Sequence, residues 1–374
     1  MAESETGAAV ASALWTVATA DGSTPLSRAD RRGISSAMET VFGLEFDLDP
    51  DGLSGITSGE LVDAVVDPGT RLDLVRVLAV LALLDGVVER DKLVRVIDVA
   101  SALHVHAEFV DALHQLSLDH VGWVAHDMIR ANVATIPGVP WVPTDPYAPF
   151  LPYGGDGRDP VLAGRFEHLA ELEAGTLGRA FYDHYRLNGY AFAGRPEGLI
   201  DAWATPHDCL HVLSGYSTSA QGELLVAAFT GGMLAPPIDA MESHVLPTIL
   251  IYHLGIDLNK GLNAGDRERL AADPSWADNY DGNVHLGLDA AKLWTAWQRG
   301  AAMTEDLYSG HWDFWDHAAT PVTKLRQAWG VAPLPPDLAA LPDDAIDRSD
   351  FTRAGQPEPP AISTVAISDR PHYS

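Results

Sequence analysis

The sequence predicts an all-α protein, and three observations carry that reading. Apolar residues recur at Leu74, Val77, Leu78, Leu81 and Leu84, then at Leu93, Val96, Ile97, Ala100 and Leu103, the spacing of a helix with one buried face. The alternation expected of a half-buried strand is scarce. The 374 residues are 47% apolar and 20% charged, a composition that folds around a core, and the length suits two or three domains.

Taken in order, residues 8–130 read as a run of short helices. Within them Ala18-Thr19-Ala20-Asp21-Gly22 and Ala82-Leu83-Leu84-Asp85-Gly86 each end an apolar helix in Asp-Gly, before second helices over 28–41 and 90–103. The glycine suits a left-handed helix stop and the aspartate can cap the next element, so a two-fold helical repeat is expected. Between 137 and 160, Pro137, Pro140, Pro143, Pro146, Pro149, Pro152 and Pro160 exclude a helix and favour a stiff extended segment. Trp141, Tyr147, Phe150 and Tyr153 are interleaved, so this connector is expected to pack onto a domain, with a lid over a site as the alternative. Helices are then expected over 165–172, 176–187, 199–213, 220–233, 238–254, 289–307 and 321–329. The Pro-, Asp- and Ser-rich remainder reads as disordered, with a short helix over 337–341. The boundaries that follow are 1–130 for an N-terminal helical domain, 131–160 for the connector, 161–332 for a second helical domain and 333–374 for the tail.

Charge and cysteine usage remove several function classes. The formal net charge is −28 and the pI near 4.6, which argues against nucleic acid as a partner and against binding anionic lipid through a basic face. The single cysteine, Cys209, permits no intrachain disulfide and no zinc or iron–sulfur site built on cysteines. The start, Met1-Ala2-Glu3-Ser4-Glu5, lacks the basic stretch of a signal peptide, and the most apolar run, 74–88, falls short of the ~20 residues needed to span a bilayer. A cytoplasmic location is expected. Four lysines against twenty arginines suit a GC-rich bacterial genome.

The sharpest chemical pattern is His207-Asp208-Cys209-Leu210-His211, followed eleven residues later by Glu223. On a helix, His207 and His211 stand one turn apart on one face and offer a divalent metal two nitrogens. Asp208 lies about 100° around that helix and can add an oxygen. Gly215 permits a turn, Thr218-Ser219-Ala220-Gln221 has the form of a capping box, and a returning helix would bring Glu223 back against the histidines. Mixed nitrogen and oxygen ligands suit Zn, Fe, Mn or Co without choosing among them, and Zn is the expected occupant. The bland alternative takes Thr205 as N-cap and Pro206 as first helical residue, which leaves Asp208 to serve only the helix start.

The four-residue spacing resembles the metal motif of the coenzyme Q biosynthesis protein 4 family. Leu172-Glu173-Ala174-Gly175-Thr176-Leu177-Gly178-Arg179, ahead of a helix with Tyr182 and Tyr185, is similar to that family's Gly-Thr-Leu-Gly stretch. Gly222-Glu223 matches its Gly-Glu pair, and Trp297-Gln298-Arg299-Gly300 through Trp312 to Leu325-Arg326 resembles its closing helices. The resemblance covers residues 160–330. It implies a metal held by His207, Asp208, His211 and Glu223, in a helical cleft beside a groove for a polyprenyl chain. Leu224, Val226, Phe229, Met233 and Leu234, with Tyr182, are the candidates to line that groove, although such a Leu/Val/Phe stripe is more often plain core. It further implies replacement of a carboxyl by a hydroxyl on a prenylated ring, or a lipid-binding scaffold role in a biosynthetic complex. Peripheral membrane contact and a homo-oligomer accord with either. This chain departs from the pattern: no basic residue lies in 199–206, Cys209-Leu210 replaces an aromatic, and Ala227 stands where a lysine often follows the glutamate. These departures weigh against a benzoate-type precursor. The N-terminal helices, through their two Asp-Gly turns, resemble the tellurite-resistance TerB-like domain, which implies an accessory or sensing role.

Weaker candidates read as structural. Asp47-Leu48-Asp49-Pro50-Asp51-Gly52 opens like a calcium loop but has Ser58 at the twelfth position. His104, His106, His114, His120 and His126 share no face. His244 and His253 flank an apolar helix, where one of them can support the site. A metal-dependent hydrolase is a third reading, although it leaves Glu223 unexplained.

Overall fold

Capping chemistry sets the helix starts in the computed structural model, which describes residues 2–44, 49–236, 238–256, 258 and 287–334. After α1 (Ala2–Ala18), Ser27 opens α2 (Arg28–Ser36) through a reciprocal box with Asp30, and Thr57 opens α3 (Ser58–Ala64) through one with Glu60. Asp67 and Pro68 start α4 (Pro68–Leu83), and α5 (Arg90–Ala102), α6 (Glu108–Ser117) and α7 (Val121–Ala134) follow. The described residues are all-α and form no strand; Thr176 and Pro321 make an isolated antiparallel bridge.

Both Asp-Gly turns stop their helices in the left-handed region, with φ of 82° at Gly22 and 76° at Gly86. Their aspartates do not cap the next helix, which corrects the sequence expectation. Ser27 does that work for α2, and Asp85 is instead buried with its Oδ2 accepting from Lys92 Nζ at 2.8 Å. Asp30 Oδ1 lies 3.8 Å from the same ammonium, so one lysine on α5 ties the turn after α4 to α2. Burial outweighs that lysine and raises the Asp30 carboxyl above its usual range.

The proline-rich segment lies against the helices on both sides of it. Trp141 meets His126 of α7 edge-on, Tyr147 donates its hydroxyl to the Leu258 carbonyl at 2.6 Å, and Phe150 accepts from Ile200 N–H at 2.9 Å. Tyr153 donates to Asp201 at 3.2 Å, at the very start of the helix that carries the His-Asp-His pattern.

Beyond it come α8 (Pro160–Glu167), α9 (Leu177–Asn188), α10 (Asp201–Ser214), α11 (Ala220–Met233), α12 (Leu246–Tyr252), α13 (Ala290–Ala301), α14 (Phe314–His317) and α15 (Val322–Trp329). The helix expected over 238–254 enters as a widened π-turn at Met241–Val245. Pro247 has no N–H to bond the Ser243 carbonyl, and Asn132 on α7 supplies that bond at 2.8 Å. The helix expected to reach 307 ends at Ala301, because Thr304 N–H turns away to the Trp329 carbonyl. The four-residue α14 is too short to show a period in sequence.

The Gly-Thr-Leu-Gly stretch now has a physical reading. Gly175 takes φ of 86°, Thr176 caps α9, and Gly178 donates to the Ala318 carbonyl at 2.8 Å, where a Cβ would stand 3.0 Å from that oxygen. α11 and α13 cross almost backbone to backbone: a Cβ on Gly300 would lie 1.9 Å from the Phe229 carbonyl, and one on Gly232 would lie 2.0 Å from that of Trp297. The N-terminal helices share the same apolar core. Gly33 of α2 makes room for Leu81 and Leu84 beside Ala290, His253 Nε2 donates to the Leu84 carbonyl at 2.9 Å, and Arg76 sits 5.3 Å from the Trp297 ring centroid. No described helix is long and apolar enough to cross a membrane. The tail from 335, where a short helix is expected over 337–341, and the Asp47-Leu48 opening of the acidic loop lie outside the described residues.

Candidate metal centre

α10 runs from Asp201 to Ser214 with Pro206 inside it, so Thr205 is not an N-cap and Asp208 is not in the first turn. That removes the bland reading in which Asp208 serves only the helix start. His207, Asp208 and His211 instead converge: one ligand atom from each lies within 4.8 Å of the others. Gly215, at φ of 85°, ends the helix, and its N–H bonds the His211 carbonyl. The chain turns back so that the Tyr216 carbonyl lies 3.1 Å from His211 Nδ1. Since a carbonyl only accepts, Nδ1 carries a proton, which in the neutral ring leaves the lone pair on Nε2.

α11 then brings in the glutamate. Its N-cap is Ser219, one residue later than the sequence suggested, with Oγ accepting from Gly222 N–H at 3.1 Å, while Thr218 donates to Asn188 of α9. Gly222 is needed at this turn, because a Cβ there would stand 2.0 Å from the Ser217 carbonyl. One residue on, Glu223 Oε2 lies 3.5 Å from both His207 Nε2 and His211 Nε2.

The helix carrying the pattern is clamped at its far end. Arg299 donates to the carbonyls of Ser214 and Ala332, and Arg326 donates to those of Leu213 and Val212. These are the last carbonyls of α10, left without intrahelical donors. Arg299 also stacks over Tyr216 at 5.0 Å. The closing Arg-Gly and Leu-Arg pairs therefore act on the helix of the His-Asp-His pattern through its C-terminus.

The electrostatics are those of buried carboxylates facing imidazoles. Burial alone would raise Glu223, but His211 and His207 outweigh it and hold the carboxyl far below its usual range. Burial would likewise raise Asp208, yet His184, with the charges of His207 and His211, keeps it low. His211 is lowered by burial and raised by Glu223, and the carboxylate wins. His211 Nε2 is buried without a hydrogen-bond partner. A buried nitrogen lone pair without a partner, fixed in its tautomer by a backbone carbonyl and faced by two carboxylates, fits a divalent cation.

Other groups border the site, and of these the sequence offers only His244 for a supporting role. His184 of α9 places Nε2 3.5 Å from Asp208 Oδ1 and stacks on His211 with centroids 5.3 Å apart. Tyr185 is pushed well up by burial and then by Asp208, and burial followed by Asp208 also raises Tyr308. His244 lies against Tyr308 at 5.3 Å, and burial, then His207, lowers it to about 3. Trp203 stacks on His207 at 7° and 5.3 Å.

The residues expected to face a lipid lie elsewhere. Leu224, Phe229 and Met233 are buried in the apolar core. Tyr182 is two positions from His184, roughly 200° around α9. It stacks on Phe192 and, with Arg186, Tyr190 and Arg195, lines a cavity of about 520 Å³.

No family model and no curated protein matches the chain. Among solved structures, one from Nostoc punctiforme, named as a candidate ubiquinone biosynthesis protein, aligns at 16% identity over 71% of this chain and 98% of its own. Its TM-score is 0.27, a distant likeness that carries no argument about this site.

Proposed function

We propose that this chain binds one divalent metal, Zn foremost, through His207, Asp208, His211 and Glu223, and acts on a hydrophobic, prenylated aromatic or isoprenoid small molecule in quinone-type biosynthesis. The observation that carries the metal reading is Glu223 Oε2 at 3.5 Å from both imidazole Nε2 atoms, beside the unpartnered lone pair of His211. Two carboxylates and two neutral imidazoles balance a dication in a buried setting, where an unmatched charge is costly. The substrate class rests on the sequence resemblance to the coenzyme Q biosynthesis protein 4 family.

A bound divalent metal supplies Lewis-acid polarisation of a carboxyl or oxygen, or activation of water. The protein's own part is positional. Tyr216 holds the proton on His211 Nδ1, Trp203 covers one face of His207, and Gly222 and Ser219 set the turn that delivers Glu223. Residues 1–130, read as TerB-like, would be an accessory module, and 131–160 the connector that meets α10 at its start.

Elemental analysis of the purified chain tests the site. One equivalent of metal is expected in the wild type, with a sharp loss in His207→Ala and Glu223→Ala. Unchanged stoichiometry in both variants would remove the site as proposed. Native mass spectrometry of protein from its own host would report any isoprenoid carried with it. A metal closed by four protein ligands, with no exchangeable water, would assign a scaffold role instead of catalysis.

A further inference from the structure

His184 belongs to no part of the His-Asp-His-Glu pattern, comes from a different helix, and still reaches the same point. Its side chain is only 12% exposed and its Nε2 is 3.5 Å from Asp208 Oδ1. That nitrogen is buried and makes no hydrogen bond. The ring lies nearly parallel to His211, at 26°. α9, which carries it, is anchored at its N-terminus by the Thr176 cap and the Gly178–Ala318 bond, and at its C-terminal end by Asn188, which accepts from Thr218 in the turn leading to α11. The contact that α9 makes with Asp208 of α10 is therefore an imidazole with nothing else to bond.

We propose that His184 is a positioning residue for the metal centre. Its Nε2, 3.5 Å from Asp208 Oδ1, has only a short distance to close to donate to that oxygen, orient the carboxylate and leave its second oxygen to the cation. The proposal rests on the four-ligand reading above and deepens it. A carboxylate on a helix of its own can rotate about χ2, and a donor on one oxygen removes that freedom before metal arrives. Losses of such outer partners commonly cost on the order of 10- to 100-fold in metal affinity.

The test compares full-length wild type, His184→Phe and His184→Gln, each stripped of metal and titrated with Zn²⁺ against a chromophoric chelator, then with Co²⁺ while visible absorption is recorded. Phe keeps the ring stack on His211 without a donor, and Gln keeps an N–H donor without the ring. The expected result is one Zn²⁺ per chain in all three, affinity down on the order of 10- to 100-fold in His184→Phe, and partial recovery in His184→Gln. The apo Tm of His184→Phe should match the wild type, while its Co²⁺ bands shift because the Asp208 oxygen is no longer held. Equal affinity and identical spectra in wild type and His184→Phe would overturn the proposal. So would loss of an entire nitrogen ligand from the Co²⁺ spectrum, which would make His184 a ligand. A lowered apo Tm with an unchanged spectrum would make its role merely structural, and that too overturns it. If His184→Phe does not fold, His184→Gln carries the decision by the same readouts. Failure of the wild type to bind either metal would sink the four-ligand reading itself, a separate outcome.

Discussion

Two buried acids in this protein are placed in opposite circumstances. Glu223 faces two imidazoles and is held ionised, whereas Glu242, in the π-turn before α12, has both carboxylate oxygens buried without a partner. Burial, reinforced by Asp127, Asp239 and Glu108 and only partly opposed by Arg130, raises Glu242 to about 9. The folded state therefore keeps this proton where the unfolded chain, near the ordinary 4.5, has released it. Its stabilising contribution is complete below that value and is lost progressively as pH rises toward about 9. Glu242→Gln removes the titration, so its Tm should gain on the wild type by several degrees between pH 5 and pH 8; a constant difference across that range would contradict the assignment. At this scale the metal pattern was legible in sequence because one helix turn fixes where His207 and His211 point. His184, Tyr185 and Tyr308 were not, because their approach to Asp208 depends on how α9 and the loop after α13 pack, which no local spacing records.

Among the elements, α10 and its return into α11 decide the site. The turn between them works through atoms that are absent: Gly222 has no Cβ to strike the Ser217 carbonyl, and Gly215 accepts a left-handed φ. Gly222→Ala should push the first turn of α11 away from α10, lowering metal affinity at least tenfold by chelator competition while far-UV circular dichroism stays helical. Wild-type affinity in that variant would mean that Glu223 is not delivered by this turn. Element boundaries show where sequence reading stops. The helix expected over 199–213 runs Asp201–Ser214 with Pro206 inside it, so the alternative start at Thr205-Pro206, which proline's preference for the first turn suggested, is not the one taken. Pro247 was passed over as ordinary, and its cost appears as a π-turn with Asn132 satisfying the orphaned carbonyl. The all-α class and the bounds of α11 were plain, because long apolar periodicity is the strongest local signal.

For the whole molecule, the N-terminal helices and the helices of the second half bury apolar surface against each other, through α2 on α13 and His253 on the end of α4. Lys92 pins the N-terminal side of that contact. It is fully buried between Asp85 and Asp30, and α2, which carries Asp30, is the helix that meets α13. Lys92→Met would leave two buried carboxylates without their cation and should cost about 3–5 kcal/mol in chemical denaturation. A loss below about 1 kcal/mol would place the lysine among ordinary surface pairs. The sequence suggested two separable helical parts from their composition. It did not reveal the shared core, because Gly33 beside Ala290 and Arg76 beside Trp297 are contacts between residues far apart in the chain, which no local spacing records.

The central claim is that four side chains from two neighbouring helices hold one cation. Anomalous diffraction from crystals of the Zn²⁺-loaded protein, collected on either side of the metal edge, measures this most directly. The account predicts a single strong peak about 2.0–2.2 Å from His207 Nε2, His211 Nε2 and oxygens of Asp208 and Glu223. A peak bonded elsewhere, or a peak from which Glu223 is turned away, would contradict it.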